Sequence, residues 1–98
     1  MTNSINKNGT TTTITFEGRL DTTTAPKLEK TLEQNSEGVK DLVFDFAKLD
    51  YVSSAGLRVI LSTHKKMSKV GTFKIVNVKE IIMDVFEMTG FADILTIE

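Results

Sequence analysis

Apolar and polar positions along this chain repeat with two periods in turn, two residues for strands and about 3.6 for helices, and the switches between them mark out its elements. Residues 11–17 (TTTITFE) are rich in β-branched side chains, and the Asn8-Gly9 turn pair before them predicts a hairpin with residues 3–7. Gly18 ends that strand. Thr24, with Pro26 two residues on, reads as the start of a helix to about Asn35 that carries Leu28 and Leu32 on one face before Gly38 stops it. Residues 42–46 (LVFDF) are a short apolar run suited to a buried strand, and 50–54 are expected to form the loop after it.

Residues 54–70 place Leu57, Ile60, Leu61 and Met67 at helical spacing, with Lys65, Lys66 and Lys69 in the last turns, where the helix dipole favours cations. Gly71 closes this second helix. Residues 72–76 (TFKIV) alternate as a strand, and Asn77 with Glu80 three residues later predicts a capping box that opens a third helix to about Met88. Its stripe is Ile82, Val85, Phe86 and Thr89; Gly90 ends it, and residues 94–97 are expected to add a last strand. The predicted order is ββαβαβαβ, an α/β fold whose mixed, mainly parallel sheet of about five strands carries three helices. Loops leaving the C-terminal ends of parallel strands share one rim, where sites usually form, so residues 18–24, 50–54 and 77–79 are expected side by side.

Composition narrows the functional classes. A content of 40% hydrophobic and 26% charged residues belongs to a folded protein with a core. A chain of 98 residues has room for one such core, so residues 1–98 are read as one domain. Lys plus Arg number 12 and Asp plus Glu 13, a net charge of -1, so no chain-wide field attracts nucleic acid or a membrane surface, and neither is expected as a partner. No cysteine is present, which removes disulfides and thiolate zinc sites and fits a reducing compartment. The opening MTNSINKNGT is polar, unlike a signal peptide, and no apolar run approaches the roughly 18 residues of a membrane span, so a cytoplasmic location is expected.

Catalytic chemistry finds little support. The single histidine, His64, falls on the second helix beside basic residues, with no neighbour that makes a triad or metal site. No GxxxxGK[ST] or GxGxxG phosphate loop occurs, and Asp41 and Asp45 sit at strand positions that suit a structural role. No nucleophile and base pair assembles from these residues, so no catalytic residue, metal site or cofactor is expected, and the chain is read as a non-enzyme. The informative stretch is DYVSSAGLR, residues 50–58, where two hydroxyls and a glycine stand at the handover from a buried strand to an amphipathic helix. The unpaired N–H groups and dipole of a helix start suit an anion there, so a phosphate on Ser53 or Ser54 is tolerable, and Gly56 is expected to let a partner's backbone approach. Spacing alone favours the simpler reading, in which Ser53 or Ser54 caps the helix and stabilises it by about 1 kcal/mol. Asp21 and the threonines of residues 18–24 carry the same ambiguity between turn residues and a contact surface.

Three blocks bear a resemblance to a known family: GRLDTTTAP (18–26), YVSSAGLRVIL (51–61) and FEMTGFADIL (86–95). They resemble the STAS domain, and within it the bacterial anti-sigma factor antagonists. The first is similar to that family's Gly-x-hydrophobic-Asp loop, the second to its phosphorylation segment, and the third to the end of its third helix. The resemblance implies a regulator that frees a sigma factor by binding a serine-kinase anti-sigma factor. ATP-dependent phosphorylation by that kinase switches the binding off, and a serine phosphatase restores it, with ATP and magnesium belonging to the kinase. Aligned on Gly56-Leu57, the acceptor is Ser54, the usual Asp position is Ser53 and the second hydroxyl position is Ala55. Arg19 stands where some members are acidic, which alters the charge offered to a partner. The implied partner-binding surface is Asp21, Thr22, Thr23, Ser53, Ser54, Gly56 and Arg58. The resemblance also admits two other settings: a partner-switching regulator of a non-sigma target, and an accessory subunit of a lipid-transport ABC system.

Overall fold

Strands β1 (Thr2–Asn8) and β2 (Thr11–Leu20) pair antiparallel through the register Asn8↔Thr11, with Gly9 at φ 64 in the two-residue turn between them. The structure is a computed structural model that describes residues 2–98; Met1, the first residue of the expected 1–98 unit, lies outside them. Along β2 the pleat turns Thr12, Ile14, Phe16 and Leu20 inward and leaves Thr11, Thr13 and Thr15 on the opposite face. Helix α1 (Ala25–Gln34) follows, with Pro26 in its first turn and Ala25 and Leu28 buried. Strand β3 (Asp41–Val52) lies parallel to β2, helix α2 (Ser54–Met67) crosses over, and β4 (Thr72–Val76) lies parallel to β3. Helix α3 (Glu80–Thr89) ends on the left-handed Gly90, φ 81, before a single 3₁₀ turn, Phe91–Asp93.

The sheet order is β1-β2-β3-β4. The register Ile14↔Phe44↔Ile75 sets the inward residues of the three central strands on one face, where they form one cluster with Leu28 of α1, Val59 and Ile60 of α2, and Ile82 and Phe86 of α3. All three helices therefore cover the same face. Phe44 is its hub, meeting Phe16 at 4.9 Å and Phe73 at 4.8 Å edge-on, the arrangement that aromatic quadrupoles favour. Among the described residues no helix is long and apolar enough to cross a membrane.

Five local expectations need correction. Gly18 does not end β2: at φ 102 it sits beside a register shift, and the strand continues to Leu20. Residues 50–54 are not a loop: β3 runs to Val52, leaving Ser53 as the only joint before α2. Two register shifts against β2 give β3 one extra residue each, so its buried side chains step by two through Leu42, Phe44 and Phe46, then by three to Leu49 and Val52. The capping box is absent, because Asn77 adopts φ 57 and turns its amide to Asp45 Oδ1 at 3.1 Å, and Lys79 becomes the N-cap without a side-chain cap bond. The last expected strand is reduced to one parallel bridge, Ile75↔Ile97, closed by Ile75 N–H donating to Thr96 O and Glu98 N–H to Ile75 O, both at 2.9 Å. Finally, Leu61 of the expected α2 stripe is only half-buried, and Val59 and Thr63 take the inward positions.

Candidate functional site

The extra residues in β3 carry its end level with the end of β2, where Leu20 faces Val52 in the register. Ser53 N–H donates to Leu20 O at 2.8 Å, so the joint between β3 and α2 is tied to β2. Ser53 itself is extended, φ -89 and ψ 173, and its Oγ accepts from Gly56 N–H at 3.3 Å while its carbonyl accepts from Leu57 N–H at 2.9 Å. These are the bonds of an N-cap. The choice between the two serines is thereby resolved in geometry: Ser53 is the cap, and Ser54 is the exposed first residue of the helix, with its Oγ in no hydrogen bond among the described residues. Arg58 lies one helical turn further along the same face and is also exposed.

Gly56 was expected to admit a partner's backbone, and the structure gives it a different neighbour. It is buried, and a Cβ there would stand 2.7 Å from Leu20 Cγ and 3.1 Å from Leu20 O. The glycine lets the first turn of α2 close on the end of β2, and in doing so sets where Ser54 projects.

The loop after β2 is organised by one carboxylate. Asp21 Oδ1 accepts from Thr23 Oγ1 at 2.7 Å, Thr23 N–H at 3.0 Å and Thr24 N–H at 3.2 Å, and Arg19 Nε stands 3.8 Å from Oδ2. The Thr23 hydroxyl is the main cause that holds the Asp21 carboxyl down from 3.8 to about 2; partial desolvation opposes it, and the Thr23 and Thr24 donors reinforce it. Thr24 occupies the N-cap position of α1 but makes no cap bond. Its buried hydroxyl accepts from Asp21 N–H at 2.8 Å and lies 2.9 Å from Arg19 O, tying the loop back on itself instead. Thr22 and Thr23 are exposed on the loop's outer side.

Two contacts had no signal in the sequence, because each joins separate elements. The Arg19 guanidinium lies over the Tyr51 ring, 4.1 Å from its centroid, and Lys79 Nζ pairs with Asp50 Oδ1 at 2.6 Å. The second brings the start of α3 to the same rim, so residues of all three expected segments meet there. Asp41 and Asp45 are engaged elsewhere, Asp41 Oδ1 accepting from Thr72 Oγ1 at 2.6 Å and Asp45 Oδ1 from Ala47 N–H at 3.0 Å. His64 is half-buried in α2, and no group of three His, Cys, Asp or Glu side chains among the described residues is placed to hold a metal ion.

This arrangement is a hydroxyl projecting from a helix start, beside a preorganised carboxylate loop, on a rim with charges of both signs. The model of the STAS domain matches residues 3–98. The chain belongs to the STAS domain family. Among STAS relatives it is 32% identical over 85 residues to the anti-sigma-B factor antagonist of Bacillus subtilis, covering 86% of this chain and 78% of that protein. It is 36% identical over 84 residues to BtrV of Bordetella bronchiseptica, a candidate anti-sigma factor antagonist, covering 84% of this chain and 72% of that protein. The STAS fold is likewise shared with the anti-sigma factor antagonist SpoIIAA in its unphosphorylated form, at a TM-score of 0.85 and 17% identity, over 99% of this chain and 88% of that one. An anti-sigma factor antagonist from Mycobacterium paratuberculosis superposes at a TM-score of 0.88 and 22% identity, over 98% of this chain and 83% of that one.

Proposed function

We propose that the chain is an anti-sigma factor antagonist, a binding regulator working as one domain over residues 1–98, and that Ser54 is its switch. The observation that carries this reading is the division of labour between the two serines. With Ser53 committed to the cap, Ser54 Oγ is free to accept a phosphoryl group without costing the helix its first-turn bond. The unmodified chain binds a serine-kinase anti-sigma factor through Asp21, Thr22, Thr23, Ser54 and Arg58, and the sigma factor is released. Ser53 and Gly56 serve this surface from beneath, by fixing the start of α2.

In the reverse step the kinase transfers the γ-phosphoryl of ATP to Ser54 Oγ; the hydroxyl proton leaves and ADP is released. The helix dipole and the uncapped N–H groups of the first turn accommodate the phosphate on this chain, and Arg58 is positioned one turn away to pair with it. Closing the complex over nearly two new negative charges requires their desolvation, which opposes binding. A serine phosphatase resets the cycle. Isothermal titration against the cognate kinase tests the charge mechanism: Ser54→Asp is expected to weaken binding by about tenfold or more, equivalent to about 1.4 kcal/mol, and unchanged affinity would remove the mechanism.

A further inference from the structure

Far along α2 from Ser54, a cavity of about 130 Å3 opens between the C-terminal halves of α1 and α2, with the inward face of β2 and β3 as its floor. That is the scale of an apolar cavity of about 150 Å3 that accepts benzene. Its walls are Ile14, Val39, Leu42, Val59 and Met67, and its interior carries no charged side chain; Glu29 and Glu33 of α1 and Lys66 of α2 stand at the mouth, all exposed. Val39 and Met67 keep 8% of their surface while Ile60 and Phe44 keep none, so the core is incompletely closed along this seam.

Four hydroxyl residues line it; Ser36 and Ser62 are exposed at its edge, and Thr12 and Thr63 are buried. Thr63 Oγ1 donates its proton to Val59 O at 2.8 Å and so has no donor left for a ligand. Thr12 is 3% exposed and lines the floor, yet its hydroxyl enters no hydrogen bond among the described residues. No side-chain oxygen or nitrogen among those residues is both sealed and unpartnered, so Thr12 Oγ1 keeps accessible surface, and Thr12 lines the cavity. A hydroxyl that is accessible and has no protein partner is free to exchange solvent for a ligand's polar group. Water between these apolar walls has few partners, so an apolar body gains by displacing it.

We propose that this cavity is a binding site for a neutral molecule the size of a single ring, carrying one hydrogen-bonding group that meets Thr12 Oγ1. Charged ligands are disfavoured because nothing inside offsets their desolvation. The site is independent of the rim at Ser54 and of any partner bound there.

Phenol and toluene, one with a hydroxyl and one without, probe it in a ¹H–¹⁵N NMR titration of the full chain. Saturable shifts confined to Thr12, Leu42, Val59, Thr63 and Met67 are expected, with phenol bound about fivefold more tightly than toluene, the worth of one hydrogen bond. The near-isosteric Thr12→Val is expected to bring the two affinities together, and Val59→Phe, which fills the space, to abolish both. Shifts that fail to saturate, that centre on the Ser54 rim, or that persist in folded Val59→Phe would overturn the site. If Val59→Phe does not fold, Thr12→Val decides alone: an unchanged preference for phenol refutes the contact and with it the proposal.

Discussion

Replacing Gly56 with alanine tests whether the switch is positioned by the close approach of α2 to β2. Gly56 sits in the first turn of α2 without a positive φ, so conformational freedom gives no reason for a glycine, and helix propensity alone predicts that alanine stabilises by up to about 1 kcal/mol. Against this, the added Cβ would meet Leu20 Cγ at 2.7 Å and Leu20 O at 3.1 Å. Leucine can shift its side chain, but the carbonyl is fixed by its bond from Ser53 N–H at 2.8 Å, so α2 has to lift from β2. Overpacking of this kind costs about 1–3 kcal/mol, which offsets the propensity gain and leaves a net loss of up to about 2 kcal/mol. Urea unfolding followed by circular dichroism measures it. The Leu20→Ala background, which removes the side-chain clash and leaves the carbonyl, is expected to reduce the penalty by about 1 kcal/mol in a double-mutant cycle. A Gly56→Ala variant that is more stable than the parent would refute the packing account, and with it the role of Leu20 in aiming Ser54.

Further outcomes follow from the same geometry. Ser53→Ala removes the cap and is expected to cost about 1 kcal/mol of stability in urea while leaving Ser54 available for phosphorylation; a loss of phosphorylation without a loss of stability would reverse the assigned roles. The Asp21 carboxyl, lowered from 3.8 to about 2, stabilises the fold fully above its unfolded value, and that contribution fades as pH falls from 3.8 through about 2. Carbon-detected NMR titration is expected to give a midpoint near 2 for Asp21, and a higher one in Thr23→Ala, because the Thr23 hydroxyl is the largest cause of the shift. Gly71→Ala places a Cβ on the Lys40 carbonyl oxygen, a backbone atom held by Thr72 N–H at 2.8 Å, and is expected to destabilise by about 3 kcal/mol or more in the same urea assay.

The repeating pattern made most of this fold readable, and the exceptions have physical causes. Residues 72–76 alternate without interruption and form β4 with the expected bounds. The loop expected at residues 50–54 is strand as far as Val52 because two bulges break the alternation: Leu49 and Val52 are three residues apart, and only the register with β2 shows where the extra residues go. The expected strand over residues 94–97 is only one bridge, Ile75↔Ile97, because Ile94 continues the helical backbone of the 3₁₀ turn Phe91–Asp93, φ -98 and ψ -44, instead of extending. At the site, the serines, Asp21 and Arg58 were visible as residue types, but which serine caps α2 depends on one bond, Gly56 N–H to Ser53 Oγ. The burial of Gly56 against Leu20 and the pairs Arg19–Tyr51 and Lys79–Asp50 join residues far apart in the chain, and spacing alone cannot express them.

Incubating the chain with its cognate anti-sigma kinase and Mg-ATP, and then mapping phosphate by mass spectrometry, tests the switch most directly. A single phosphate on Ser54, with Ser53 unmodified and the complex dissociating as phosphate accumulates, is the predicted result. An active kinase that leaves Ser54 unmodified, or a fully phosphorylated chain that still holds the kinase, would contradict it.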